Sequence, residues 1–175
     1  MSWPQEGSKN FQAGELQENL ALLRQTYLFP DLPMESLKVF AYMCTRETVK
    51  AGDYLFRQGE DDGQAILILT GSAVLIREEN GRETEILEYG PGAFLGSMAL
   101  LGEMHRLFSL RAVSDLVCLI LTRQKFNSTL HQFPQAVPKI MNLLVRQINA
   151  WEERFLVSRS EGCEACLHKI GVSMI

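Results

Sequence analysis

Ile66-Leu67-Ile68-Leu69-Thr70-Gly71-Ser72-Ala73-Val74-Leu75-Ile76-Arg77-Glu78-Glu79-Asn80-Gly81-Arg82-Glu83-Thr84-Glu85-Ile86-Leu87 is the stretch that decides the fold. Two short apolar or β-branched runs are separated by a glycine, and the second is joined to a third by Asn80-Gly81. A type I′ turn needs positive φ at both central residues, and Asn-Gly supplies it at least cost. The predicted hairpin pairs Ser72–Arg77 with Glu83–Leu87. The same texture runs from Thr45 to Leu121, punctuated by Gly52, Gly59, Gly63, Gly71, Gly81, Gly90, Gly92 and Gly96. No helix in that block is long enough for a parallel crossover, so the strands belong to an antiparallel sandwich or barrel of jelly-roll type.

Helices flank this block. Leu16, Leu20, Leu23 and Tyr27 give one apolar stripe on a helix over about 15–27, which Pro30 and Pro33 stop. Asp31 and Pro33 open a second, short helix with Leu37, Phe40 and Ala41 on its buried side. Thr122 is a natural N-cap for a helix through Leu130, broken by Phe133-Pro134. Val137, Met141, Leu144, Ile148, Trp151 and Phe155 then follow at spacings of four, three, four, three and four, a heptad seam on a long closing helix. The expected organisation is a helical segment 1–44, a barrel 45–121, closing helices 122–157 and a polar tail 158–175. The fold class is mainly β with flanking helices.

Composition narrows the function. The 175 residues are 46% hydrophobic and 22% charged with a net charge of −4, as in a soluble globular protein, and cytoplasm is the default compartment. No apolar run approaches a bilayer span, Met1–Asn10 lacks the core of a secretion signal, and the acidic balance offers no broad attraction for nucleic acid. His105, His131 and His168 are scattered, and no P-loop, nucleophile elbow or zincin helix is present, so the expectation is no enzyme and no metal. Cys44 and Cys118 sit in apolar surroundings and read as core residues. Cys163 and Cys166 form a C-x-x-C with His168 nearby, three local ligands where structural zinc takes four, and read as two thiols of a tail.

Three segments carry a resemblance: Leu28-Phe29 with Leu32 and Leu37; Ala51-Gly52-Asp53-Tyr54-Leu55-Phe56-Arg57-Gln58-Gly59-Glu60; and Ile66–Val74 followed by Tyr89-Gly90-Pro91-Gly92-Ala93-Phe94-Leu95-Gly96. In their order and glycine spacing, from about residue 28 to about 155, they resemble the cyclic nucleotide-binding domain of bacterial catabolite activator proteins and of the regulatory subunits of protein kinase A. The resemblance implies an eight-stranded jelly roll that holds cyclic AMP or cyclic GMP, with a phosphate-binding cassette within 94–112. There the family reads Gly-Glu-Leu-Ala-Leu, then an arginine nine residues after the glutamate, then small residues. This chain reads Gly96-Ser97-Met98-Ala99-Leu100 and then Arg106, so the register is intact. A planar guanidinium suits bidentate binding of a phosphate; the alternative reading is an ion pair with Glu103 or Glu60.

Two departures weigh against the nucleotide. Ser97 stands where the family's carboxylate accepts a hydrogen bond from the ribose, a loss of about 1.5–3 kcal/mol. Leu107 and Phe108 stand where small residues let the backbone approach the phosphate, and bulky apolar groups there are expected to fill the pocket. The preferred expectation is therefore a non-enzymatic regulatory module, degenerate for cyclic nucleotides, that self-associates or docks on a partner protein through Val137, Met141, Leu144, Ile148, Trp151 and Phe155. The alternative is a working cyclic nucleotide sensor that signals through the same helix.

Overall fold

The computed structural model of the chain describes residues 6–157. Two helices, α1 (Glu6–Gln25) and α2 (Met34–Met43), precede eight strands: β1 (Thr45–Val49), β2 (Tyr54–Phe56), β3 (Gln64–Thr70), β4 (Ala73–Glu79), β5 (Arg82–Tyr89), β6 (Phe94–Leu95), β7 (Ser109–Ala112) and β8 (Leu116–Thr122). Helices α3 (Arg123–Gln132) and α4 (Val137–Val157) close the chain. All strand pairs are antiparallel, in two four-stranded sheets ordered β1-β8-β3-β6 and β2-β7-β4-β5. The jelly-roll expectation holds in a more open form, since the two sheets do not close into a barrel.

The hairpin forms around the expected turn. Asn80 and Gly81 take φ of 54° and 75°, and the register runs from Glu79↔Arg82 to Ala73↔Tyr89. A bulge at Leu75/Ile76 shifts it by one residue, which sets Leu75 beside Leu87. At the next reversal Gly71 has φ +79°, and a Cβ there would lie 2.5 Å from the Asp115 carbonyl oxygen and 2.7 Å from Leu116 Cβ. Backbone contact leaves no room for a side chain between β3 and the start of β8.

Helix boundaries follow their chemistry. Pro33 precedes α2, and the Thr122 hydroxyl accepts from the Lys125 amide at 3.4 Å to cap α3. Phe133-Pro134 breaks the path before α4, as expected. Helix α1 begins nine residues before the expected start.

The core has two lobes. Phe56, Ile66, Ile68, Leu110, Leu116 and Cys118 fill the space between the sheets. Leu23, Phe29, Leu37, Phe40, Phe126, Ile140 and Leu144 join the helices over one end of it. Phe40 links to Phe29 and Phe126 at ring separations of 5.2 and 5.4 Å. The 3-10 turn before α4 contributes Ala136 to this lobe and α4 contributes Ile140 and Leu144, so of the expected heptad seam Leu144 is drawn into the chain's own core, beside Ile140 from outside the seam. Leu144, expected at an interface, is buried within its own chain, while Val137, Met141 and Val145 are 39%, 53% and 52% exposed. The side chains of Trp151 and Phe155, like Cys163, Cys166 and His168, lie outside the described residues.

Cys44 and Cys118 are free thiols in apolar surroundings. Burial pushes the Cys44 thiol up to about 12 against the pull of Lys125, and pushes Cys118 up to about 11 with help from Glu47. Because the thiolate is the nucleophile, both are expected to resist alkylation at pH 8 in the native state and to react once the chain is denatured. Mass-spectrometric mapping of iodoacetamide adducts at these two positions checks this.

Candidate functional site

The segment that follows β6 forms the candidate site. Gly96 takes φ +78° and turns the chain into a short 3-10 helix, Ser97–Leu100. A Cβ on Gly96 would come within 2.7 Å of the Gln64 carbonyl oxygen, and the Arg106 guanidinium lies against the same spot. Ala99 and Leu100 point inward and are fully buried. The turn is anchored from behind by Arg123 at the start of α3, whose Nε donates to the Ala99 carbonyl at 2.6 Å while its Nη atoms pair with Asp61.

Ser97 is buried, and its hydroxyl is engaged by the Tyr27 phenol from the segment between α1 and α2. Burial raises the Tyr27 phenol above its ordinary value, and the bond to Ser97 lowers it in part. Ser97 is thus a tie between the turn and the helical lobe. Met98, beside it, is 49% exposed.

Arg106 is 5% exposed and its charge is already matched. Its Nε and Nη2 both donate to Asp62 Oδ1, at 3.0 and 2.7 Å, and Nη2 also reaches Asp62 Oδ2 at 3.0 Å and the Gln64 carbonyl at 2.5 Å. The guanidinium carbon lies 4.1 Å from the centre of the Phe56 ring. The backbone is held as tightly, with Arg106 N donating to Glu60 O and Gly59 N donating to Arg106 O, each at 2.8 Å. The expected partners Glu103 and Glu60 are replaced by Asp62, and Glu60 contributes through its backbone alone. Neighbouring aspartates, Asp61 and Asp62, serve two different arginines, 123 and 106.

In front of Arg106 lies an open cleft of about 210 Å³ lined by Phe56, Leu75, Tyr89, Leu95, Gly96, Met104, Arg106, Leu107 and Phe108. Leu107 was expected to fill this space; it is 62% exposed and stands at the rim. Its carbonyl accepts from Arg77 Nη1 at 2.5 Å, and the Arg77 guanidinium lies 5.6 Å from the centre of the Phe108 ring, which ties the segment before β7 to β4. The structure therefore brings Gly96, Arg106, Leu107 and Phe108 together at one cleft. Ser97 and Ala99 face the other way. A larger polar cleft of about 430 Å³ lies behind, between Asp61–Gly63 and Thr122–Asn127. Among the described residues, no group of three or more histidines, cysteines or carboxylates is placed to hold a metal ion. No helix among them is long and apolar enough to cross a membrane.

A jelly roll with a glycine-led turn and an arginine facing an inter-sheet cleft defines the class of cyclic nucleotide-binding folds. The family model of the cyclic nucleotide-binding domain matches residues 46–133, and the chain belongs to that family. A cyclic nucleotide-binding-like protein from Brucella abortus superposes with a TM-score of 0.61 at 31% identity, over 65% of this chain and 98% of that one. Lysophospholipase NTE1 of Phaeosphaeria nodorum is 32% identical over 103 residues, which is 58% of this chain and 7% of the lysophospholipase. Human cGMP-dependent protein kinase 2 is 26% identical over 141 residues, 79% of this chain and 18% of the kinase. The chain thus spans a small fraction of the length of these two relatives.

Proposed function

We propose that this domain is a regulatory module that has kept the cyclic nucleotide-binding fold without using cyclic AMP or cyclic GMP, and that it acts by association through α4. The observation that carries the reading is the Asp62–Arg106 pair. The aspartate takes up the charge that a ligand phosphate would otherwise meet. Adding a phosphodiester to a neutral pair would leave one uncompensated negative charge against apolar walls, where desolvation costs several kcal/mol. Ser97 supports the same reading, because its hydroxyl is engaged by Tyr27 and it carries no carboxylate for a ribose.

Association is proposed on the outer stripe of α4, where Val137, Met141 and Val145 recur every four residues and are exposed. Calorimetry with either nucleotide is expected to give no saturable heat up to millimolar concentration; micromolar binding that Arg106→Ala abolishes would overturn the reading. In sedimentation velocity, Met141→Glu is expected to shift any self-associated species to monomer, with unchanged circular dichroism. An unchanged sedimentation profile of an associated wild type would remove α4 from the interface.

A further inference from the structure

The geometry points to an uncharged apolar small molecule as the ligand of the cleft in front of Arg106. Cross-strand partners in a sheet share a face, so Leu87 of β5 lies on the same side as its partner Leu75, which packs on the inter-sheet core. Yet Leu87 is 54% exposed. A core-facing leucine left more than half exposed means that the inner face of the β4–β5 hairpin lacks a cover at this point. Leu75 itself lines the cleft, together with Leu95, Phe108 and Leu107, and Leu107 is also more than half exposed. Leu75, Leu95, Leu107 and Phe108 thus line one cavity from three segments, and Leu87 adjoins it as the cross-strand partner of Leu75, where isolated surface leucines would call for no explanation.

The chemistry of the occupant follows from what the cleft lacks. Among the described residues Arg106 is its one charged lining side chain, and Asp62 already neutralises it. Its guanidinium is stacked on Phe56 as well, which leaves the site with walls that gain by shedding water and lose by taking on charge. At about 210 Å³ the cleft is smaller than the roughly 300–1,000 Å³ of sites for drug-sized ligands, so it suits a fused aromatic pair or a short alkyl chain. An occupant would cover Leu107 at its rim. This inference rests on the reading that Arg106 does not serve a phosphate.

The test is a fluorescence titration with N-phenyl-1-naphthylamine, an uncharged probe whose emission rises in apolar surroundings, repeated with millimolar cyclic AMP present. Saturable one-to-one binding is expected, unaffected by cyclic AMP and weakened at least fivefold in Leu107→Asp and in Leu87→Asp. Both substitutions fall on exposed side chains, and circular dichroism verifies their folding. Met141→Glu, on the outer stripe of α4, is expected to bind as the wild type does. Absence of saturable binding overturns the inference and leaves the proposed function untouched. Binding that Met141→Glu abolishes while both cleft variants retain it also overturns the inference, because the probe then sits on α4. Displacement of the probe by micromolar cyclic AMP overturns the inference and the proposed function together.

Discussion

Replacing Asp62 by alanine destabilises the domain by about 3–5 kcal/mol, the cost expected when one partner of a buried ion pair is removed and the other stays buried. The pair qualifies because the side chains of Arg106 and Asp62 are 5% and 14% exposed, with three hydrogen bonds between them. Arg106 cannot swing out to recover water, since its backbone amide and carbonyl are tied to Glu60 and Gly59 and its ring-stacked guanidinium backs onto Gly96. Chemical denaturation followed by tryptophan fluorescence measures the change. The double variant Asp62→Ala, Arg106→Met is expected to recover most of the loss, because replacing a buried pair by apolar groups is far cheaper than orphaning one member. A loss below about 1 kcal/mol, the range of exposed pairs, would mean that the two charges are solvated and that the arginine is available to a ligand.

The second large effect is expected at Phe126. This ring is fully buried at the junction of α3 with α2, against Phe40, in the lobe that also receives Ile140 and Leu144 of α4. Phe126→Ala leaves a cavity where several helices meet and is expected to cost about 3–5 kcal/mol in denaturant titration. A single transition shared by near-ultraviolet and far-ultraviolet circular dichroism is expected, since both lobes meet at β8 and the 3-10 turn. Two transitions, with the sheets surviving the helices, would show that the closing helices are an independent unit.

The parts of this fold that local chemistry dictates are the parts that can be read from the chain. Asn80-Gly81 fixes its turn without help from anything distant, and Thr122 and Phe133-Pro134 bound α3 in the same way. The glycine series and the placement of Arg106 nine residues after Ser97 bring the cassette into view by resemblance. What stays hidden is set by tertiary contact. Helix α4 has more apolar residues than one face holds, and spacing alone favours the heptad seam; packing in the lobe around Phe126 takes Ile140, outside the seam, together with Leu144, and leaves Val137 and Met141 outside. Leu107 is large and apolar, yet its backbone carbonyl is held by Arg77 in the bend before β7 and its side chain is 62% exposed. The partner of Arg106 lies 44 residues away in a loop. Two adjacent aspartates ahead of Gly63, facing two arginines otherwise without assigned partners, were the available signal.

The central claim is that Asp62, and no cyclic nucleotide, is the partner of the Arg106 guanidinium. The most direct measurement is the ¹⁵N-edited NMR signal of Arg106 Nε–H, assigned by its loss in Arg106→Met and followed as cyclic AMP and then cyclic GMP are added to millimolar concentration. A buried Nε–H held at 3.0 Å by Asp62 Oδ1 exchanges slowly with water and is expected to be visible, and to stay at the same shift throughout. A saturable shift of that signal at micromolar nucleotide, accompanied by the amides of Gly96 and Ser97, would contradict the account.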